Sequence, residues 1–325
     1  MEKLLIFRER ILKFLSSNGR VLRLAGKFIG GALLFYVAGE MYAYGSLLSQ
    51  PFMFLILGIA GIFLPVSVIF LLYHLIVAFQ LSALAMEIGI LYLIVIGLYY
   101  LIYQRMFKKT ELLLLMTPVL FYFHIPAVLP IVVGSFIGLY GLPAILMGSC
   151  CYYFAVTVQE GIRQMSGGGN EGGQIYSLIM SSTAENKELM LCLLVFIIVT
   201  AAVAGIRKLW IAYGWYIAIL AGGGLYLFAV LTGGYFLDNE VHIVPQLLMI
   251  LASLLIVMAG QFLYSVIDYT REENFEYEDE EYYYYVRAIP KISMEEEMSV
   301  KKVIVPARRF YLKHKEKHDD KGEES

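Results

Sequence analysis

The sequence predicts an all-α polytopic membrane protein, and three observations carry that reading. The chain of 325 residues is 59% hydrophobic and only 16% charged, whereas soluble domains run about 45–50% apolar and about 25% charged. Acidic and basic residues are sparse between Phe28 and Ile267 and dense on either side. Within that central stretch apolar residues continue around every face of a helix, as in segments that contact lipid rather than a soluble core with one wet face.

Residues 1–27 read as a basic amphipathic segment. Leu4, Leu5, Ile11, Leu12 and Leu15 recur at helical spacing among Lys3, Arg8, Arg10 and Lys13, the pattern of a helix lying on an anionic membrane surface. With Arg20, Arg23 and Lys27 these cations place the N-terminus in the cytosol by the positive-inside rule. The basic region is far longer than the n-region of a cleaved signal, so the first span reads as a signal anchor.

The transmembrane domain is expected over residues 28–267. Apolar runs fall at residues 28–45, 46–64, 65–82 and 84–104, with Pro51 and Pro65 marking breaks, and Arg105, Lys108 and Lys109 then form a basic inner loop. The first three runs are short against the roughly 20 residues that a span needs.

Pro118, Pro126, Pro130 and Pro143 interrupt residues 112–158, as do Gly134, Gly138, Gly141 and Gly148. Proline removes a backbone donor, and irregular backbone survives in lipid only where protein or a water-filled cavity covers it. A broken or re-entrant element is therefore expected near residues 125–141. Residues 159–187 read as a polar external loop with a glycine-rich centre, and Ser182, Thr183, Ala184 and Glu185 have the spacing of a capping box that opens the next helix. Clearer spans follow at residues 188–206, 210–232 and 242–267. The charge rule then calls for about eight spans, or about ten if 112–158 crosses three times, with both termini cytosolic.

Residues 268–325 form a charged cytosolic tail. The stretch 272–281 is strongly acidic and runs into Tyr282, Tyr283, Tyr284, Tyr285 and Val286, with a second β-branched run at 300–305. Aromatic and β-branched residues favour strands, so a small β-hairpin turning over 293–299 is expected, followed by a charged end. An isolated hairpin is marginal in water, so it needs a partner strand, a second copy or the protein's own cytosolic surface, and the acidic juxtamembrane region favours protein over anionic lipid. Tyr282, Tyr283, Tyr284, Tyr285 and Arg287 are the candidate partner-binding residues, as a strand that adds to a partner's sheet edge.

The tail stretch YEDEEYYYYVRAIPK at 277–291, with Asp268 and Tyr269 after the last span, resembles a signature in a family of uncharacterised bacterial multi-spanning membrane proteins. That resemblance implies a plasma-membrane location and no particular activity. In composition, the proline- and glycine-broken stretch 112–158 is also similar to the small substrate-binding subunits of vitamin transporters.

Ionisable residues inside spans are costly and often functional. Glu40, His74, Glu87 and His124 are the candidates, as proton carriers or polar contacts for a solute. The plainer alternative leaves them near the membrane surface, with His74 and Glu87 flanking a short turn in water. Cys150, Cys151 and Cys192 all lie in apolar runs and read as buried small residues rather than a disulfide framework or metal site. The glycine-rich loop lacks the strand and the Lys-Ser/Thr of a phosphate-binding loop, and no hydrolase or metalloprotease signature is present. No cofactor or metal is expected, and no basic stripe points to nucleic acid. The expected partners are membrane lipid and a cytosolic protein bound by the tail. The leading functional expectation is a transport-related protein for a small solute, either a permease or its substrate-binding subunit. The alternative is a membrane scaffold for envelope assembly or signalling that docks a partner through the tail.

Overall fold

Lipid offers the backbone no hydrogen-bond partners, so long apolar runs satisfy their own amides as helices. The computed structural model describes residues 2–42, 52–105, 107, 110–165, 172–209, 214–237, 243–264, 273–278 and 283–288. The helices are α1 (Glu2–Ser17), α2 (Gly19–Tyr42), α3 (Met53–Phe63), α4 (Val66–Leu84), α5 (Met86–Tyr99, continued by a π turn Tyr100–Gln104) and α6 (Glu111–Tyr122). There follow α7 (Val128–Val132, continued by a π turn Val133–Ile137), a 3-10 turn Leu139–Gly141, α8 (Leu142–Met165), α9 (Gly172–Ala184), α10 (Lys187–Arg207), α11 (Gly214–Phe236) and α12 (Ile243–Tyr264). Among the described residues seven helices are long and apolar enough to cross a membrane, and Met53–Phe63, Glu111–Tyr122 and Val128–Ile137 are shorter apolar helices. The chain is a multi-pass integral membrane protein.

Contacts give each helix its direction. α2 and α3 run antiparallel, with Gly31 against Gly58 and the Lys27 ammonium donating to the Leu64 carbonyl at 3.1 Å, which caps the end of α3. α4 sets out from the same end, where Ser67 donates to the Glu111 carboxylate at 2.7 Å, and α5 returns antiparallel, with Gly89 tight against Ala78 and Ser82. α10 and α11 are antiparallel, with Val203 beside Gly222 and Leu191 beside Gly233, and α12 pairs back through Leu254 on Gly223. Short α3 supplies the return between α2 and α4, so α2 begins and α12 ends on one face of the bundle.

That face carries Arg20, Arg23, Lys27, Arg105, Arg207 and Lys208 at or near helix ends. The opposite face carries the exposed carboxylates of Glu40, Glu87, Glu160, Glu185 and Glu188, beside exposed Lys187. Two hydrophobic cores sit between the faces. One joins α2, α4, α5, α6, α8 and α9, and the other joins the end of α6 to α7, α8, α10, α11 and α12.

The interrupted stretch is re-entrant, as the prolines and glycines indicated. α6 runs beside α8 in the same direction: Leu113 lies on Gly141, Thr117 on Gly148, and the Phe121 ring stacks on Tyr152 with centroids 4.5 Å apart. The chain then turns over 123–127, and α7 descends along α10. The Pro130 carbonyl meets the Thr200 hydroxyl at 3.4 Å, and Gly134 packs against Thr200 and Val203. Val133 and Ile137 return to Gly141 and Leu113, the level at which α6 began. At 1.5 Å per residue the arms rise roughly 18 and 15 Å, about half of a 30 Å hydrocarbon layer. Tyr152 and Phe196, which flank the tip, lie near the middle of the 24-residue α8 and the 21-residue α10. The tip thus stands near the membrane midplane. Gly138, at φ +93°, ends the descending arm in a conformation that suits glycine.

Several boundaries differ from the sequence expectation. α2 begins at Gly19, so the last third of the 1–27 segment belongs to a long helix rather than to a surface one. Residues 159–187 are mostly helix, since α8 continues to Met165 and α9 covers Gly172–Ala184. The glycine-rich centre, 166–171, lies outside the described residues. α10 is capped by Asn186, whose side chain accepts from the Leu189 amide at 2.9 Å. The expected cap does not form there, because Ser182 and Thr183 belong to α9 and the Thr183 hydroxyl donates back to the Ile179 carbonyl.

The contact pattern separates residues 7–266 from a second unit, residues 1–6 with 267–325. In the latter, β1 (Glu273–Glu278) pairs antiparallel with β2 (Tyr283–Ala288), placing Phe275 opposite Val286 and Tyr277 opposite Tyr284. This is not the expected hairpin. The tyrosine run takes the acidic stretch before it as partner, and 293–299 and 300–305 lie outside the described residues. Two six-residue strands amount to a ladder rather than a β-domain.

Candidate functional site

The turn at the hairpin tip is built by a specific set of hydrogen bonds. The Ile125 amide reaches back to the Leu120 carbonyl and the His124 amide to the Phe121 carbonyl, each at 2.9 Å. This is a Schellman end for α6, with His124 in the left-handed seat at φ 58° where glycine is usual. His124 is the one non-glycine residue with positive φ among those described. A Cβ in that conformation costs roughly 1–2 kcal/mol, and Pro126 prevents the helix from continuing. Strain of this kind at a polar residue in mid-membrane marks a place where the side chain, not the backbone, is what the position requires.

Above the tip lies a cavity of about 600 Å³, open toward the face that carries the carboxylates. Phe121, His124, Pro126 and Ala127 form its floor, so the hairpin closes it from below. Its walls come from the tip-to-mouth halves of four helices: Tyr152 and Tyr153 on α8, Glu188 and Cys192 on α10, Tyr226 on α11, Gln246 and Ser253 on α12. These halves converge because α10 and α12 start at the mouth while α8 and α11 end there. The volume falls within the roughly 300–1,000 Å³ of small-molecule sites.

Three rings make one corner. Phe121 stacks on Tyr152, Tyr153 meets Phe121 edge-on at 5.8 Å, and Tyr152 and Tyr153 are nearly perpendicular at 5.4 Å. Glu188 acts electrostatically on both tyrosine hydroxyls, and the Cys192 thiol is within hydrogen-bonding reach of Ser149 and Tyr153. The close seats of Gly148 on Thr117 and Gly134 on Val203 hold the hairpin at this depth.

Of the four candidate ionisable residues, the structure brings His124 alone into the cavity, where Pro126 and Cys192 also lie. Glu40 and Glu87 are exposed at the carboxylate-bearing face, on α2 and α5. His74 does not face water: it is 2% exposed, and its Nδ1 lies 2.7 Å from the Tyr92 hydroxyl. That pair sits in a separate buried seam, where Tyr42 donates to the Cys151 carbonyl at 2.9 Å. Nearby in sequence Gln80 is wholly buried with both amide atoms unpaired. Tyr283, Tyr284, Tyr285 and Arg287 lie on β2, and Tyr283 is exposed, while Tyr282 is outside the described residues. Cys150, Cys151 and Cys192 are all free.

The tyrosines, Glu188 and Gln246 were not anticipated. The available signal was a polar residue in the first turn of α10 and of α12, legible only once those helix ends are known, whereas the tyrosines lie near the middle of α8 and α11. No family model, curated protein or solved structure matches the chain. The functional reading therefore rests on the geometry of the site.

Proposed function

We propose that the protein is transport-related, a permease or the solute-binding membrane subunit of one, and that it binds a small solute in the cavity above the hairpin. One observation carries the reading: a re-entrant hairpin, its tip strained at His124, closes a polar and aromatic cavity near mid-membrane. Broken helices with binding at the midplane are a recurring plan among secondary transporters. The positive-inside rule favours a cytosolic basic face, with the cavity open to the outside and both termini cytosolic, and the resemblance of the tail favours the plasma membrane.

The test is a melting screen of the purified protein against small solutes of differing charge, repeated on His124→Gly. Glycine removes the left-handed strain, so this variant melts no lower than the wild type. Solutes that raise melting in the wild type and fail in the variant support the reading. If no solute raises it, or every hit survives both this substitution and Glu188→Gln, the cavity is not a solute site.

A second reading has an observation of its own. The β1–β2 ladder is a complete two-stranded sheet among the described residues, with an edge on each side to which a partner strand could add. Loss of a co-purifying protein on deletion of residues 268–325, with solute binding intact, would favour a docking scaffold.

A further inference from the structure

We infer that the cavity takes an organic cation, an alkylated ammonium with an apolar body, bound by the Glu188 carboxylate and the Phe121, Tyr152 and Tyr153 rings. This rests on the transport reading and names the substrate class of the same site. Among the described lining residues Glu188 is the one carboxylate, and no lysine or arginine lines the cavity. An anionic solute would meet a like charge there and find no guanidinium or ammonium. A neutral solute could use the hydroxyls of Tyr152, Tyr153 and Ser253 and the Gln246 amide, but would make no use of the Glu188 charge.

A cation is served on both counts. Aromatic faces attract cations through their quadrupoles, and recognition of quaternary ammonium by several rings at mutual angles is the recurrent form of that interaction. Phe121, Tyr152 and Tyr153 all line the cavity, and Tyr153 stands edge-on to the other two, so the cluster offers a ring surface of mixed orientation to a cation in the cavity. Tyr226, Val195 and Ile250 supply an apolar wall for the body of the ligand. The mouth opens on the face bearing exposed Glu40, Glu87, Glu160 and Glu185, opposed there by Lys187. Clefts lined by one sign of charge raise the local concentration of the opposite ion.

The experiment uses the full chain in lipid nanodiscs and three probes that share one ring: benzyltrimethylammonium, benzyl alcohol and benzoate. The cation is expected to raise melting in a saturable way, with the other two weaker by about ten-fold or more. Glu188→Gln should weaken the cation about ten-fold and leave benzyl alcohol unchanged, with Glu188→Asp recovering part of the loss. Tyr153→Leu should cost roughly three- to thirty-fold for the cation. Equal binding of benzoate, or a cation affinity unmoved by Glu188→Gln, overturns the substrate class while leaving a solute site in place. Failure of all three probes also overturns it, and failure of the wider solute screen then removes the transport reading itself.

Discussion

Gly222, Gly223 and Gly224 offer three adjacent positions at which one added methyl meets three different surroundings. A Cβ on Gly222 would lie 2.5 Å from Val203 Cγ2 and 3.5 Å from Ile131, while one on Gly223 would lie 2.7 Å from a Leu254 terminal methyl. Gly224 has nothing within 4 Å and faces outward. Val203 cannot yield, because it is β-branched and its other methyl fills the seat at Gly134. Gly222→Ala must therefore push α11 from α10 and from the hairpin, an overpacking worth about 1–3 kcal/mol. Leu254 can change rotamer, so Gly223→Ala should cost about 1 kcal/mol at most. Gly224→Ala collects only the helical preference for alanine and should stabilise by about 0.5–1 kcal/mol. The outer variants then differ by about 2 kcal/mol, roughly thirty-fold in the folded-to-unfolded ratio. Unfolding in mixed micelles of rising SDS fraction, followed by far-UV circular dichroism, reads the difference. Equal midpoints for the three variants, or Gly224→Ala as the least stable, would refute this packing of α11 against α10 and the hairpin.

Gly138→Ala tests the backbone alone, since only Tyr140 Cε1, at 4.0 Å, approaches its side-chain position while φ is +93°; a loss of about 1–2 kcal/mol in the same titration is expected. Asn186→Ala removes the cap of α10 and should cost about 0.5–2 kcal/mol, with Asn186→Ser recovering most of it. Tyr92→Phe leaves His74 Nδ1 buried without its partner and should lower stability by about 1–3 kcal/mol without changing solute binding in the cavity. A loss of solute binding in Tyr92→Phe would mean that the buried seam and the cavity are one system.

The transmembrane plan was legible because lipid leaves so few options for a backbone. The runs at 188–206 and 84–104 became α10 and α5 with its π turn, each within about two residues at either end. The re-entrant hairpin was legible for the same reason, as Pro126, Pro130 and Gly138 could not all sit in one straight span. Depth and facing were not legible. His74 and Glu87 looked equivalent beside a short turn, yet α4 runs on to Leu84 and leaves His74 more than two turns inside, while Glu87 stays in the first turn of α5. The cavity was hidden because α8, α10, α11 and α12 each contribute only a residue or several, and neighbourhood there is set by helix crossing, not by spacing along the chain. β1 was missed although Phe275 and Tyr277 alternate with Glu276 and Glu278, because its acidic content masked a period of two.

The hairpin also sets a constraint on how the protein can be made. Its descending arm packs against α10, α11 and α12, all of which follow it in the chain. At about 5–20 residues per second, the roughly 130 residues from Ile137 to the end of α12 take about 6–25 s to synthesise. During that interval the strained turn and the proline-freed carbonyls of residues 123–137 have α6 but lack α10, α11 and α12, and hydrocarbon cannot replace them. The segment must wait at the water interface or inside the insertion machinery, and enter last, as a plug pushed into a ring already assembled.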